Sequence, residues 1–143
     1  MFRVGSVFIP VTDIGKSSEW YEYNLGVKKI QGWGEGIGSG EGFYFPDSPT
    51  QFGLVQVEEA QPTEFVIKGD QRNGYFNFVV DDIHEVHNQL KENGVRTTEL
   101  EDFGGMTCFD FFDPDGNPLS VVTEVRDSPF HSEQVKKRQR EGR

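Results

Sequence analysis

Three histidines, one cysteine and a few carboxylates are the side chains here with the most chemistry to offer. His84 and His87 stand three apart. On a helix that spacing puts two imidazoles on one face, where they can hold a metal. The helix that carries them is predicted to lie outside a sheet, however. His84 then faces solvent, and His87 edges the apolar stripe as a structural histidine. His131 falls in a polar tail. With no histidine predicted inside, the commonest general base is missing. Cys108 lies on a predicted strand with no histidine in the pattern around it, so a thiolate nucleophile is not supported. A single cysteine also excludes a disulfide framework and any multi-cysteine metal site. Asp110 and Glu124 are the carboxylates that suit a base, although Asp110 also reads as a surface charge. Residues 32–42 alternate glycine with Trp33, Glu35, Ile37, Ser39 and Glu41. This lacks the spacing and the strand–helix context of a dinucleotide loop. It reads either as a lid carrying Trp33 or as a flexible hairpin loop.

The elements that position these groups follow from hydrophobic periodicity. Val4–Val11 is an apolar, β-branched strand. Thr12 and Asp13 are N-cap types, Ile14, Ser17, Ser18, Tyr21 and Leu25 recur at helical spacing, and Gly26 suits a C-cap. Strands are predicted at Val27–Gln31, Phe43–Phe45 and Gln51–Val57, followed by connections at Glu58–Glu64 and Lys68–Gly74. The order then starts again. Tyr75–Val80 is a strand. Asp82, with Glu85 in capping-box position, opens a helix striped by Ile83, Val86, His87 and Leu90, and Gly94 ends it. Arg96–Leu100, Met106–Phe112 and Leu119–Val125 are three more strands. Val11-Thr12-Asp13-Ile14 matches Val80-Asp81-Asp82-Ile83 at an offset of 69, and Leu25-Gly26-Val27 matches Asn93-Gly94-Val95 at 68. A period this long is a duplicated strand–helix–three-strand unit and not a solenoid repeat.

Charge and composition remove whole function classes. The 143 residues carry 14 Lys/Arg and 24 Asp/Glu, a net charge of −10. Residues 1–126 hold nine of the basic and 21 of the acidic groups, net −12, and the tail 127–143 is basic. Such a body repels nucleic acid and anionic membranes. Val7–Val11 is too short and too interrupted for a signal peptide or a membrane span. Nineteen aromatic side chains (13 Phe, four Tyr, two Trp) can fill a core at this length. The expectation is a cytoplasmic domain over 1–126, with module one at 3–64 and module two at 74–125. The tail is expected to be mobile or partly helical, with Lys136-Lys137-Arg138 solvated.

Three segments, in this order, carry a family likeness: Val7-Phe8-Ile9-Pro10-Val11-Thr12-Asp13 with Trp20-Tyr21 and Leu25-Gly26; Phe78-Val79-Val80-Asp81-Asp82-Ile83; and Asp113-Pro114-Asp115-Gly116-Asn117-Pro118. Together they span 3–125. In these the chain resembles the vicinal oxygen chelate superfamily, which includes glyoxalase I, extradiol dioxygenases and the fosfomycin- and bleomycin-resistance proteins. The resemblance implies an α+β fold of two tandem βαβββ modules, a mixed sheet curled around a cavity, and a homodimer. In metal-dependent members it implies four ligand positions, which fall on Ser6, about Gln56, Tyr75 and Ser120. Two hydroxyls, an amide and a phenol do not make a divalent site, so no metal and no cofactor are expected. A shifted site using Glu58 and Glu124 is the alternative.

Strand alternation turns Ser6, Phe8, Tyr75, Asn77, Ser120 and Glu124 toward the implied cavity. With Trp33 and Gln56 they are the expected ligand-binding residues, and no catalytic residue is assigned. The function implied is binding or sequestering a small molecule, cationic or aromatic. The alternatives are a metal-dependent or metal-free lyase, isomerase or dioxygenase of the glyoxalase type, and an interaction module whose cavity is filled by its own rings.

Overall fold

The structure, a computed structural model, describes residues 1–142. The first strand, β1 (Ser6–Val11), leads into helix α1 (Ile14–Leu25), then β2 (Lys28–Trp33), β3 (Gly40–Phe45) and β4 (Ser48–Gln56). A short hairpin follows, β5 (Glu64–Lys68) and β6 (Gln71–Gly74). The second round is β7 (Asn77–Val79), α2 (Ile83–Glu92), β8 (Glu101–Phe103), β9 (Met106–Phe112) and β10 (Pro118–Val122), and the tail holds α3 (Ser132–Glu141). The two four-stranded sheets have the same plan, β1-β4-β3-β2 and β7-β10-β9-β8, with β1 parallel to β4 and β7 parallel to β10. The repeat in the letters is thus a repeat in topology, and the chain is α+β with mixed sheets.

Three differences from the expected elements have local causes. The hairpin at 64–74 replaces part of an expected connection, because Gly69 at φ 56° makes the tight turn between Phe65-Val66-Ile67 and Gln71. The strand expected at Arg96–Leu100 reduces to a single bridge, Thr97 to Phe111, and β8 begins at Glu101. The glycine-rich segment is part strand and part turn. Gly32 lies in β2 and Gly40 and Gly42 in β3, while Gly34, Gly36 and Gly38, all at positive φ, make the turn between the strands.

The chain divides into two compact units, one formed by Met1–Asn73 with Phe112–Asn117, the other by Gly74–Phe111 with Pro118 onward. In the first unit α1 is capped as its sequence demands, with Asp13 accepting from the Lys16 amide and Gly26 at φ 72°. It buries Tyr21 against Phe52, while Phe43, Leu54, Ile9 and Val11 complete the core. In the second unit Phe109, Phe111, Leu119 and Val121 are buried with Ile83 and Leu90 of α2, and His87 is buried edge-on to Phe109. His87 Nε2 lies 2.9 Å from the Thr98 carbonyl, and His84 is exposed. Both histidines therefore have the structural places expected of them.

The turn Asp113-Pro114-Asp115-Gly116-Asn117 packs in the first unit, far in sequence from its partners. The Asp113 carboxylate is buried. One oxygen accepts from the Asp115 and Asn117 amides at 2.9 Å each. The other accepts from the Tyr21 hydroxyl at 2.6 Å and from Asn117 Nδ2 at 2.7 Å. Asn117 Nδ2 also donates to the Pro10 carbonyl, and Asp115 accepts from the Thr12 amide and hydroxyl. Burial, then the Asp113 charge, drives the Tyr21 phenol far above its ordinary range. A raised folded pKa supplies stability that is complete below the free phenol's value, about 10, and is lost as pH rises. Tyr21→Phe removes a charge-assisted bond and is expected to cost about 2 kcal/mol in urea unfolding at pH 7, with part of the wild type's steep alkaline loss removed as well. An unfolding midpoint matching wild type at both pH values would refute this.

Candidate functional site

Strand register sorts the first sheet into two faces, because directly paired residues point the same way. The rows Val7-Phe52-Phe43-Lys29 and Ile9-Leu54-Glu41-Gly32 face α1. The rows Ser6-Gln51, Phe8-Gly53-Gly42-Gln31 and Pro10-Val55-Gly40-Trp33 face the other way. That second face is a floor of three glycines under two aromatic rings. The Phe8 ring lies so close over Gly53 that a Cβ there would sit 2.7 Å from it. The Trp33 ring covers Gly40, where a Cβ would overlap the indole, and reaches Gly42. Both rings stay accessible, Phe8 at 57% and Trp33 at 45%. Pro10 and Val55, half-buried, complete an apolar strip with Ser6, Gln31 and Gln51 as polar rim. An exposed aromatic surface with a polar rim suits a planar ligand.

Three of the expected site residues, Ser6, Phe8 and Trp33, thus share one face. Gln56 does not. It pairs with Val11 on the helix-facing side, and its side-chain oxygen accepts from the Ile14 amide at 2.9 Å, closing the start of α1. The expectation placed it on the ligand side because its slot was counted along the chain. Register assigns that side to Gln51, Gly53 and Val55, of which sequence reasoning named none. The floor role of Gly40 and Gly42 was missed as well, although their alternation with Trp33 and its neighbours was the available signal.

In the second unit Asn77 and Ser120 are register partners, with Val79 and Val122 alongside. The Ser120 hydroxyl donates to Asp110 Oδ1 at 2.7 Å, so this carboxylate is held and part-buried and is not a free surface charge. Cys108 lies two residues along the same strand; burial, then Glu101 and Asp110, pushes its thiol up, away from thiolate chemistry. Tyr75 is exposed just before β7. Glu124, expected to face a ligand, instead caps the tail helix. Its carboxylate accepts from the Ser132 amide at 2.6 Å and the Ser132 hydroxyl at 2.9 Å, and those two bonds lower its pKa. A lowered folded pKa adds stability above the ordinary Glu value, and that stability is lost as pH falls through the folded one. Glu124→Gln, or acidification below the ordinary Glu range, is expected to melt α3. The loss is read as reduced 222 nm ellipticity and as random-coil shifts confined to residues 132–141. Unchanged shifts there would contradict the capping role.

The donors present do not fit the family's metal. Among the described residues no three His, Cys, Asp or Glu side chains form a metal-holding group. Ser6 and Gln56, two of the four positions the resemblance implied, point to opposite faces of one sheet, and the Ser120 hydroxyl is bonded to Asp110. Glu58 is exposed, and Glu124 is committed to α3, so the shifted alternative gains no support either. Protein loaded with manganese, nickel or zinc and then desalted is expected to retain well under one equivalent and to melt at the same temperature with or without EDTA. A stoichiometric metal would overturn this assignment.

Among the described residues no helix is long and apolar enough to cross a membrane. Comparison with curated protein sequences gives no match. Solved structures do match. A member of the glyoxalase/bleomycin resistance protein/dioxygenase superfamily from Sphaerobacter thermophilus DSM 20745 is 27% identical, with a TM-score of 0.68 over 87% of this chain and 98% of that one. A glyoxylase/bleomycin resistance protein/dioxygenase domain from Frankia sp. EAN1pec is 17% identical (TM-score 0.68; 87% and 99% covered). TnmS3, an antibiotic-binding protein from Streptomyces sp. CB03234, is 17% identical (TM-score 0.67; 87% and 98% covered). The family model matches residues 3–121, most of the chain. With the duplicated βαβββ plan and the Asp-Pro-Asp-Gly-Asn turn in place, the chain belongs to the Glyoxalase/Bleomycin resistance protein/Dioxygenase superfamily.

Proposed function

We propose that this protein binds or sequesters a small planar molecule, aromatic and preferably cationic, on the open face of the first sheet. The observation that carries the reading is the seating of Phe8 close over Gly53 and of Trp33 close over Gly40 and Gly42 while both stay accessible. Rings held against bare backbone lose little freedom when a ligand stacks on them. Their π faces attract cations, and the net charge of −10 favours a positive ligand at long range. The antibiotic-binding relative TnmS3 supports this direction.

An enzyme reading has less behind it. His87 is engaged with Thr98, Asp110 with Ser120 and Glu124 with Ser132, so the groups suited to acid–base work have structural partners. We also propose a cytoplasmic homodimer. Its support is the β5–β6 hairpin, where Val66 and Ile67 are 55% and 57% exposed on an apolar strand that a second copy could cover.

The test uses 9-aminoacridine, a planar cation, against anthracene-2-sulfonate as an anionic counterpart, followed by fluorescence in a Trp20→Phe background. Saturable binding of the cation is expected, with weaker binding of the anion. Phe8→Ala and Trp33→Ala should each lower affinity about tenfold, the scale of one cation–π or stacking contact. Gly40→Val, which drives a side chain into the Trp33 ring, should act like Trp33→Ala. Equal affinity in all variants would sink the proposal.

A further inference from the structure

The first unit has a second concavity, which Trp33 lines and Phe8 does not. It is a cleft of about 440 Å³ between the first turns of α1 and the β2–β3 hairpin. Ile14, Gly15, Ser18 and Glu19 line it from α1, and Lys29, Gly32, Trp33, Gly40 and Glu41 are among the residues that line it from the hairpin. We propose that this cleft is a binding site for a small organic cation that also carries a hydroxyl or amide group.

Its space exists because glycine stands where side chains would fill it. Gly15 on α1 has open space where a larger residue would project, with only Asp13 Oδ1 near at 3.8 Å. Gly32 has no side chain, and the Glu41 carboxylate lies across its bare backbone. The charge is negative. Lys29 Nζ sits 3.0 Å from Glu41 Oε1 and 3.7 Å from Glu22, so one ammonium is shared by two carboxylates, and Glu19 also lines the cleft. Glu41 supplies most of the field that holds Lys29 charged. Glu41 Oε2 lies where a side chain on Gly32 would begin, while Oε1 faces the ammonium.

The independent sign of a ligand is Ser18. Ser18 lines the cleft and is 4% exposed, and its hydroxyl has no hydrogen-bond partner among the described residues, a state it shares with Ser17, which does not line the cleft. Buried hydroxyls are normally satisfied, and a serine inside a helix normally returns its proton to the preceding turn. An oxygen left over in a cleft floor is a place for a ligand's polar group. Carboxylate on one wall and hydroxyl on the other specify a molecule with a positive end and a neutral polar end. The volume, at the lower end of the roughly 300–1,000 Å³ of small-molecule sites, limits its size.

The test is an amide NMR titration with trans-4-aminocyclohexanol, a non-aromatic ammonium alcohol. trans-1,4-Cyclohexanediol serves as the neutral isostere and trans-4-hydroxycyclohexanecarboxylate as the anionic one, at matched ionic strength. Saturable shifts centred on Gly15, Ser18, Gly32 and Glu41 are expected for the ammonium alone. Glu41→Gln should weaken binding about tenfold, the scale of one charge-assisted contact, and Ser18→Ala several-fold. Gly15→Leu occupies the cleft from a helical position that accepts a side chain, so the variant folds and is expected to abolish binding. Phe8→Ala, which removes part of the other face, should leave these shifts intact, so the two sites fail or hold separately. Linear shifts without saturation, an equal response to the anion, or binding that survives Gly15→Leu would overturn the proposal.

Discussion

The Asp113 carboxylate is the tie on which the first unit's geometry depends. It is buried with four donors aimed at it, two from its own turn backbone, one from Asn117 and one from the Tyr21 hydroxyl. A buried carboxylate is tolerable only in that arrangement, and losing a partner costs far more than the bond itself returns in water. The consequence is long range. Tyr21 fixes the roll of α1 over Phe52, and Asn117 and Asp115 hold Pro10 and Thr12 where β1 turns into α1. The register of β1 on β4 then follows, and with it the face on which Phe8 appears.

Register decides what each side of that sheet is for. A strand position cannot serve both faces, and a shift by one residue exchanges them. On the helix side large rings and aliphatic groups fill the core. On the open side Gly40, Gly42 and Gly53 leave room for the rings of Trp33 and Phe8, which sit close to where Cβ atoms on these glycines would be. Glycine weakens a strand, so three of them in one patch of sheet mark a place where something other than sheet stability is served. The glycines at 15 and 32 do the same on the helix side, where space is kept open next to paired charges and a serine without a partner.

Much of this was legible in the letters. The helix caps at Asp13, Gly26 and Asp82 act through their immediate neighbours, so local sequence suffices to find them. The duplication was visible as two spaced matches, and the sheets repeat it strand for strand. The inward and outward sorting of β1 followed from a period of two. Less legible were positions fixed by distant partners. Gln56 was counted into the wrong face because the length of β4 and its pairing with β1 are not written locally. Glu124 was read as an inward residue of a longer strand, yet β10 ends at Val122 and the carboxylate turns to Ser132 instead. The hairpin at 64–74 was hidden because its apolar run is short and its turn glycine follows a lysine.

The sequence by itself determined the order of elements, the repeated βαβββ plan and the net negative charge. Those properties depend on residue type and on spacing within a few turns or strands. The tertiary structure alone decided which polar groups are already spent and which are left over. Asp113, Gln56 and Glu124 are the same residue types as any catalytic or binding group, and only their partners, up to 92 positions away for Asp113 and Tyr21, show that they hold the fold. Hydrogen bonding is satisfied in space and not along the chain, so the free Ser18 hydroxyl and the exposed rings on bare glycine could be recognised only after every other partner had been placed.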